Sequence, residues 1–147
     1  MNNRDFDDFL QQQFARYAIP PETICFEITE TVAITNLHEA VALIDRLKKL
    51  GCSIALDDFG SGMSSFNYLK NLPVDYLKID GSFVKNIAND EIDRATVECF
   101  QHISKIMNIK TIAEFVENNA ILNNLKQIGI HYAQGYGIEK PRPLVWN

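Results

Sequence analysis

Asp57-Asp58 are two adjacent carboxylates directly after the apolar run Ser53-Ile54-Ala55-Leu56, and no other pair in the chain is better placed to do chemistry. Glu27, Lys78 and Glu114 stand at or just past the ends of three further β-branched or apolar runs. Neighbouring like charges at a strand end repel each other, and a bound cation is the common remedy. Carboxylate oxygens are hard ligands, suited to Mg²⁺ or Mn²⁺ rather than zinc or copper. Glu27 and Glu114 could complete such a site. A pair of divalent metals clamping the attacking and leaving oxygens is a standard solution to phosphodiester hydrolysis. Lys78 adds a cation within reach of a metal-bound water or a developing negative charge.

Isolated carboxylates after strands are more often helix N-caps or solvated turn residues, and that reading is preferred for Glu30, Asp75 and Asp90. Four acids on three strands at the same end exceed what capping requires. Lys78, on spacing alone, is equally a surface lysine. Asp58-Phe59-Gly60 spells the magnesium motif of kinases, but no glycine-rich ATP loop or His-Arg-Asp triplet accompanies it. His38, His102 and His131 have no partner spacing and read as surface or packing residues. A glycosidase with paired acids is conceivable, but it calls for neither the adjacent aspartates nor the lysine.

The elements that must position these groups alternate. Thr23–Ile28, Ser53–Leu56, Tyr76–Ile79, Lys110–Ala113 and His131–Gln134 read as strands. A helix capped at Thr35-Asn36 carries Leu37, Val41, Ile44, Leu47 and Leu50 on one face and closes at Gly51. A Gly/Ser loop leads to a short helix around Ser65–Lys70. A long helix starts near Asp90 with Ile92, Thr96, Cys99, Ile103 and Ile106 on one face. Another carries Ile121, Leu125 and Ile128 and ends at Gly129. Strand–helix–strand alternation with short turns gives right-handed crossovers and a parallel sheet. Glu27, Asp57, Lys78, Glu114 and Gln134 all fall at strand C-termini, where a (β/α)₈ barrel gathers its site from many strands. An open doubly wound sheet would use one switch point and usually a glycine-rich phosphate loop, which is absent here. The expectation is α/β: an incomplete TIM-type barrel of about five parallel strands with helices, lacking the opening strands.

A length of 147 residues suffices for one domain with a real core, yet a whole barrel needs roughly 250. The net charge of −5 argues against holding polymeric nucleic acid, which needs a basic face. A small phosphate ligand remains accessible through bridging metal ions. Cys25, Cys52 and Cys99 show no metal-ligand spacing and read as buried thiols in a reducing compartment. Met1 leads into Asn-Asn-Arg-Asp rather than a signal peptide, and no apolar run approaches a membrane span. A cytoplasmic protein, or the cytoplasmic part of a larger one without membrane contact, is expected.

Phe26-Glu27-Ile28-Thr29-Glu30, Leu56-Asp57-Asp58-Phe59-Gly60-Ser61-Gly62, Leu77-Lys78-Ile79-Asp80, Ala113-Glu114-Phe115-Val116-Glu117 and Gln134-Gly135-Tyr136 resemble, in order and spacing, the motifs of EAL domains. These are bacterial cyclic-di-GMP phosphodiesterases on a modified TIM barrel. The resemblance implies that Glu27, Asp57, Asp58 and Glu114 ligate two Mg²⁺ or Mn²⁺ ions, with Asp57 as the bridge. It implies that Lys78 contacts the catalytic water, so that Lys78, Glu114, Asp57 and Asp58 form the catalytic set. Glu30 resembles a glutamate that anchors the loop Asp58–Ser65, which positions the metals and contributes to dimer contacts; its capping reading loses ground. Glu117, Asp80 and Gln134 match positions that support the ligands or the substrate side, and Pro141 matches one near a guanine base. The expected product is linear pGpG.

Phe115 departs from the family pattern, where many members have glycine. The namesake Glu-Ala-Leu motif and a metal-binding asparagine of the family both fall upstream of Met1, and Asn2 and Asn3 do not replace the latter. Residues 1–147 therefore read as the C-terminal portion of a single EAL domain. The intact parent would hydrolyse cyclic-di-GMP, and this chain alone would be inactive or weakly active. The alternatives are a truncated, non-catalytic cyclic-di-GMP-binding or dimerisation module, and a relic that folds by strand exchange. Self-association and an upstream sensor or diguanylate-cyclase-like domain in the parent are further expectations.

Overall fold

The computed structural model describes residues 3–61 and 66–143. Five parallel strands lie side by side in chain order: β1 (Cys25–Thr29), β2 (Ser53–Phe59), β3 (Tyr76–Ile79), β4 (Lys110–Ala113) and β5 (Tyr132–Ala133). Helices occupy the connections: α1 (Asn3–Tyr17), α2 (Glu30–Thr35), α3 (Leu37–Lys49), α4 (Gly81–Val84), α5 (Glu91–Ile106) and α6 (Asn119–Ile128). Unbroken sequential order is the geometry of a β/α barrel wall, whereas a doubly wound sheet reverses direction at its switch point. The expected α/β class with five parallel strands holds.

The register sorts side chains onto two faces. Ile54 and Leu56 of β2, Leu77 and Ile79 of β3, and Ala113 of β4 share one face and are fully buried there. Ala40, Ile44 and Leu47 are the buried residues of α3, and Ile121 and Leu125 those of α6. Glu27, Ala55, Asp57, Tyr76 and Lys78 alternate with the buried set and share the opposite, concave face.

Several expectations change in detail. Pro20-Pro21 delay the first strand, putting Pro21–Thr23 in a 3₁₀ turn, so β1 begins at Cys25. Asn36 does occupy the N-cap of α3, but without a side-chain cap bond, and the Thr35 hydroxyl donates to Thr31 O instead. The short helix expected at Ser65–Lys70 is a 3₁₀ turn at Asn67–Asn71, and Ser65 lies outside the described residues. The face expected to bury α5 is wrong except at Ile103, which packs partly buried against the core. Ile92 and Ile106 are 77% and 73% exposed, and Val97, Phe100 and Ser104 are the residues turned inward. Cys25 and Cys99 are exposed, leaving Cys52 as the buried thiol; all three are free. Cys25 sits on the end strand β1, and Cys99 lies on the outward side of α5.

Helix α1 was not anticipated. Phe6, Leu10 and Phe14, spaced by four, turn its apolar side to the core, and Asp7 pairs with Arg46 of α3 at 3.0 Å. Asp90 caps α5 as expected, accepting from the amides of Ile92 and Asp93. Asp75 does more than terminate a turn: it accepts from Ile54 N at 2.9 Å and from Lys48 at 2.7 Å, tying the start of β2 to the end of α3. Among the described residues, no helix is long and apolar enough to cross a membrane.

Candidate active site

Strand β2 does not end at Leu56. It continues through Asp57 and Asp58 to Phe59, and its pairing with β3 slips on the way. Leu56 pairs with Leu77 and Phe59 with Ile79, so two aspartates stand opposite the single residue Lys78. This is a β-bulge, a device that re-aims side chains next to functional sites. Asp58 absorbs the extra residue with a φ of +56°, a left-handed conformation that aspartate tolerates better than most residues.

Lys78 is 4% exposed and stands among three acids. Its Nζ lies 2.9 Å from Glu27 Oε2, 2.9 Å from Asp57 Oδ1 and 3.0 Å from Glu114 Oε1. Burial alone would lower the lysine pKa, but bonds to Asp57, Glu27 and Glu114 outweigh it and hold the ammonium well above the ordinary lysine value. The surface-lysine reading is thereby corrected.

Asp57, Asp58 and Glu114 bring one carboxylate oxygen each to within 4.8 Å of one another. Burial pushes the Glu114 carboxyl up, opposed by Lys78 and assisted by Asp57 and Asp58. Asp57 Oδ1 is buried and, apart from its ion pair with Lys78, has no well-directed hydrogen bond. Three converging hard carboxylate ligands fit a divalent cation of the Mg²⁺ or Mn²⁺ kind. Glu27 is outside this set; its side chain is 52% exposed and touches Lys78.

The other anticipated residues fall around this centre. Glu30 is 1% exposed; it accepts from Gly60 N at 3.0 Å through Oε2 and from the Tyr68 hydroxyl through Oε1. Gly60 has a φ of +95°, and a Cβ there would meet the rings of Phe100 and Phe83 at 2.8 Å. Residues 62–65 of the loop assigned to Glu30 lie outside the described residues. Asp80 caps α4, accepting from Ser82 N at 2.7 Å. Glu117 and Gln134 join Glu114, Phe115, Gly135 and Tyr136 around a cleft of about 370 Å³ beside the acids. Pro141 is exposed and outside that lining.

Sequence reasoning missed Tyr68, the partner of Glu30, because a tyrosine in a short polar turn carries no spacing signal. It also missed that Phe115 adopts a φ of +54°, with its ring over Gly81 and the Lys85 ammonium 4.6 Å from the ring centroid. A larger cavity, about 550 Å³, lies at the opposite end of the strands. Lys48 and Lys105 line it from the last turns of α3 and α5, where cations offset the negative helix ends.

A family model described as the EAL domain matches residues 1–141. The chain belongs to the EAL family. Among curated EAL relatives, it is 52% identical over 137 residues to the cyclic di-GMP phosphodiesterase PdeB of Shewanella oneidensis, covering 93% of this chain and 16% of PdeB. It is 33% identical over 136 residues to the bifunctional diguanylate cyclase/cyclic di-GMP phosphodiesterase MucR of Pseudomonas aeruginosa, covering 92% of this chain and 20% of MucR. The FimX EAL domain of Pseudomonas aeruginosa bound to c-di-GMP superposes with a TM-score of 0.87 at 32% identity, over 93% of this chain and 56% of FimX. The chain thus spans about a fifth or less of those curated EAL proteins.

Proposed function

We propose that this chain contributes the carboxylate and lysine half of a site that hydrolyses cyclic-di-GMP to linear pGpG. The observation that carries the reading is the convergence of Asp57, Asp58 and Glu114 around buried Lys78. The similarity to PdeB and MucR supplies the substrate class. Asp57, Asp58 and Glu114 would hold divalent metal, with Asp57 shared between two ions and Glu27 completing the set. Two Mg²⁺ or Mn²⁺ ions supply, when bound, an activated water and charge neutralisation at the leaving oxygen.

The chain's own residues do the rest. Lys78 is locked as an ammonium by its three acid neighbours, so it donates to and orients the attacking oxygen rather than abstracting a proton. Glu30 fixes the exit of the bulge through Gly60 N and so holds the aspartates in place. Glu117 and Gln134 border the cleft in which the dinucleotide would lie, and the family resemblance assigns Asp80 and Pro141 to the substrate side. Residues 1–147 are proposed as the C-terminal portion of one EAL domain of a cytoplasmic protein. The partial coverage of FimX is consistent with that, and the MucR likeness with a cyclase-like domain elsewhere in the parent.

The chain on its own is proposed to be inactive or weakly active, and the test is hydrolysis of cyclic-di-GMP with Mg²⁺ or Mn²⁺ by this chain and by a longer one carrying a complete EAL domain. Turnover by the longer protein alone is expected. Robust turnover by the 147-residue chain would overturn the claim of lost activity. No turnover by either would remove the phosphodiesterase reading.

One observation favours a second role, as a binding or dimerisation module. Among the described residues, β1 and β5 each pair on one side only, and such edges invite a further strand. Self-association follows from that, and a sedimentation profile that stays monomeric across a wide concentration range would exclude it.

A further inference from the structure

We propose that Tyr68 is a positioning residue for the metal-binding bulge, acting through Glu30. The inference rests on the metal reading of Asp57, Asp58 and Glu114 and names a residue which that reading did not use. Glu30 opens α2, three residues beyond Glu27, and its carboxylate is 1% exposed. A buried carboxylate has two oxygens to satisfy, and here each goes to a different segment. Oε2 accepts from the amide of Gly60, the residue after Phe59, where pairing between β2 and β3 resumes beyond the bulge. Oε1 accepts from the hydroxyl of Tyr68, on the 3₁₀ turn Asn67–Asn71.

One carboxylate therefore bridges the exit of the bulge to a turn on the far side of the intervening loop. The aromatic contacts run the same way. Phe59 and Phe66 both pack on Phe100, at ring-centroid distances of 4.9 and 5.8 Å. Without the phenol, Oε1 is left buried with no donor, and the carboxylate gains by turning toward water. Turning takes Oε2 off the Gly60 amide. The bulge then loses the hydrogen bond that fixes the backbone two residues beyond Asp58, and the three acids lose their common geometry. Burial and the Glu30 bond both push the Tyr68 phenol up, so it stays a donor at neutral pH.

The test is calorimetric titration of Mn²⁺ into the whole chain and into Tyr68→Phe. The variant is expected to bind about tenfold more weakly, the loss typical of removing a group that orients metal ligands. Ile44→Val, a packing change in α3 away from the acids, separates positioning from stability: it lowers the melting temperature and leaves Mn²⁺ affinity unchanged. Glu30→Gln is expected to weaken binding too, and the double variant no further than the weaker single, because the two residues act as one unit. Equal Mn²⁺ affinity in Tyr68→Phe and the parent would overturn this proposal while leaving the metal reading intact. No Mn²⁺ binding by the parent would overturn the metal reading and this proposal with it. If Tyr68→Phe does not fold, hydrogen exchange of the Gly60 amide in the parent decides. Saturating Mg²⁺ should slow it about tenfold by reciprocal linkage, and unchanged exchange would overturn the proposal.

Discussion

Lys78 and Asp57 sit on neighbouring strands, and their side chains meet at 2.9 Å at the point where β2 carries one residue more than β3. The extra residue places two aspartates against one lysine. Asp57, Glu27 and Glu114 all reach the ammonium, so the cation is outnumbered. The arrangement holds three carboxylates near a single internal charge, and its behaviour follows from that imbalance.

Lys78→Met removes the internal cation and leaves Asp57 and Glu114 facing each other. The metal-free variant is expected to lose about 3–5 kcal/mol of stability, as when one partner of a buried pair is deleted. Mn²⁺ should then raise the melting temperature of the variant more than that of the parent, because it replaces the missing charge. Thermal melts with and without Mn²⁺ check this, and equal metal-induced shifts would contradict it.

Asp57 and Glu27 should respond differently to neutralisation. Asp57 belongs to the converging set and is largely buried, whereas Glu27 is half exposed and reaches Lys78. Asp57→Asn is expected to abolish measurable Mn²⁺ binding. Glu27→Gln should weaken it less, by about ten- to hundredfold, the range for groups at the margin of a metal site. Calorimetry separates the two, and a larger effect at Glu27 would reverse the ranking.

Gly81 and Phe115 are coupled by contact. A Cβ on Gly81 would lie 2.1 Å from Phe115 Cδ2, so Gly81→Ala must displace the ring. A loss of about 1–3 kcal/mol is expected, the usual penalty of overpacking. Phe115→Gly removes the clash and also relieves a left-handed backbone. Adding Gly81→Ala to Phe115→Gly should therefore change stability by less than about 0.5 kcal/mol, the scatter expected of uncoupled sites. Denaturant unfolding of the four proteins tests the cycle, and additive losses would show that the cost at Gly81 does not come from the ring.

Tyr68 gives the pH dependence. Its phenol is raised above the ordinary tyrosine value by burial and by the bond to Glu30. The bond's contribution to stability is complete below the ordinary tyrosine pKa, and it is lost as pH rises through the higher folded value. An ultraviolet titration of the folded chain should leave one phenol un-ionised above the ordinary tyrosine pKa, and that phenol should be missing in Tyr68→Phe. Tyr68→Phe should flatten the loss of stability on the alkaline side. A parent chain whose five tyrosines titrate together near the ordinary value would contradict this.

The acids at strand ends were legible because period-two apolar runs fix strand positions, and the residue after a buried run must face outward. The five strands and their parallel order followed from the alternation of such runs with helical patterns. The bulge was not legible, since a register slip is a property of two strands and cannot be read from Leu56-Asp57-Asp58 alone. The burial of α5 failed for a related reason. Ile92, Cys99 and Ile106 recur every seven residues and mark a helix, but periodicity does not say which apolar side meets the sheet, and Val97 and Phe100 win through contact with neighbouring elements. Helix α1 was missed because Phe6, Leu10 and Phe14 are thinly spread among polar residues. Tyr68 was invisible until Glu30 was seen to be buried.

The slip in β2 also sets a limit on how this chain tolerates change. Deleting Asp58 would let Phe59 slide back into step with β3, restoring an even ladder and removing a residue from left-handed backbone. The repaired sheet would be the sturdier one. It would also have a single aspartate opposite the lysine and no convergent trio. At this position, regularity and reactivity exclude each other, so selection for stability alone would drive the chain toward a smooth, inert barrel wall.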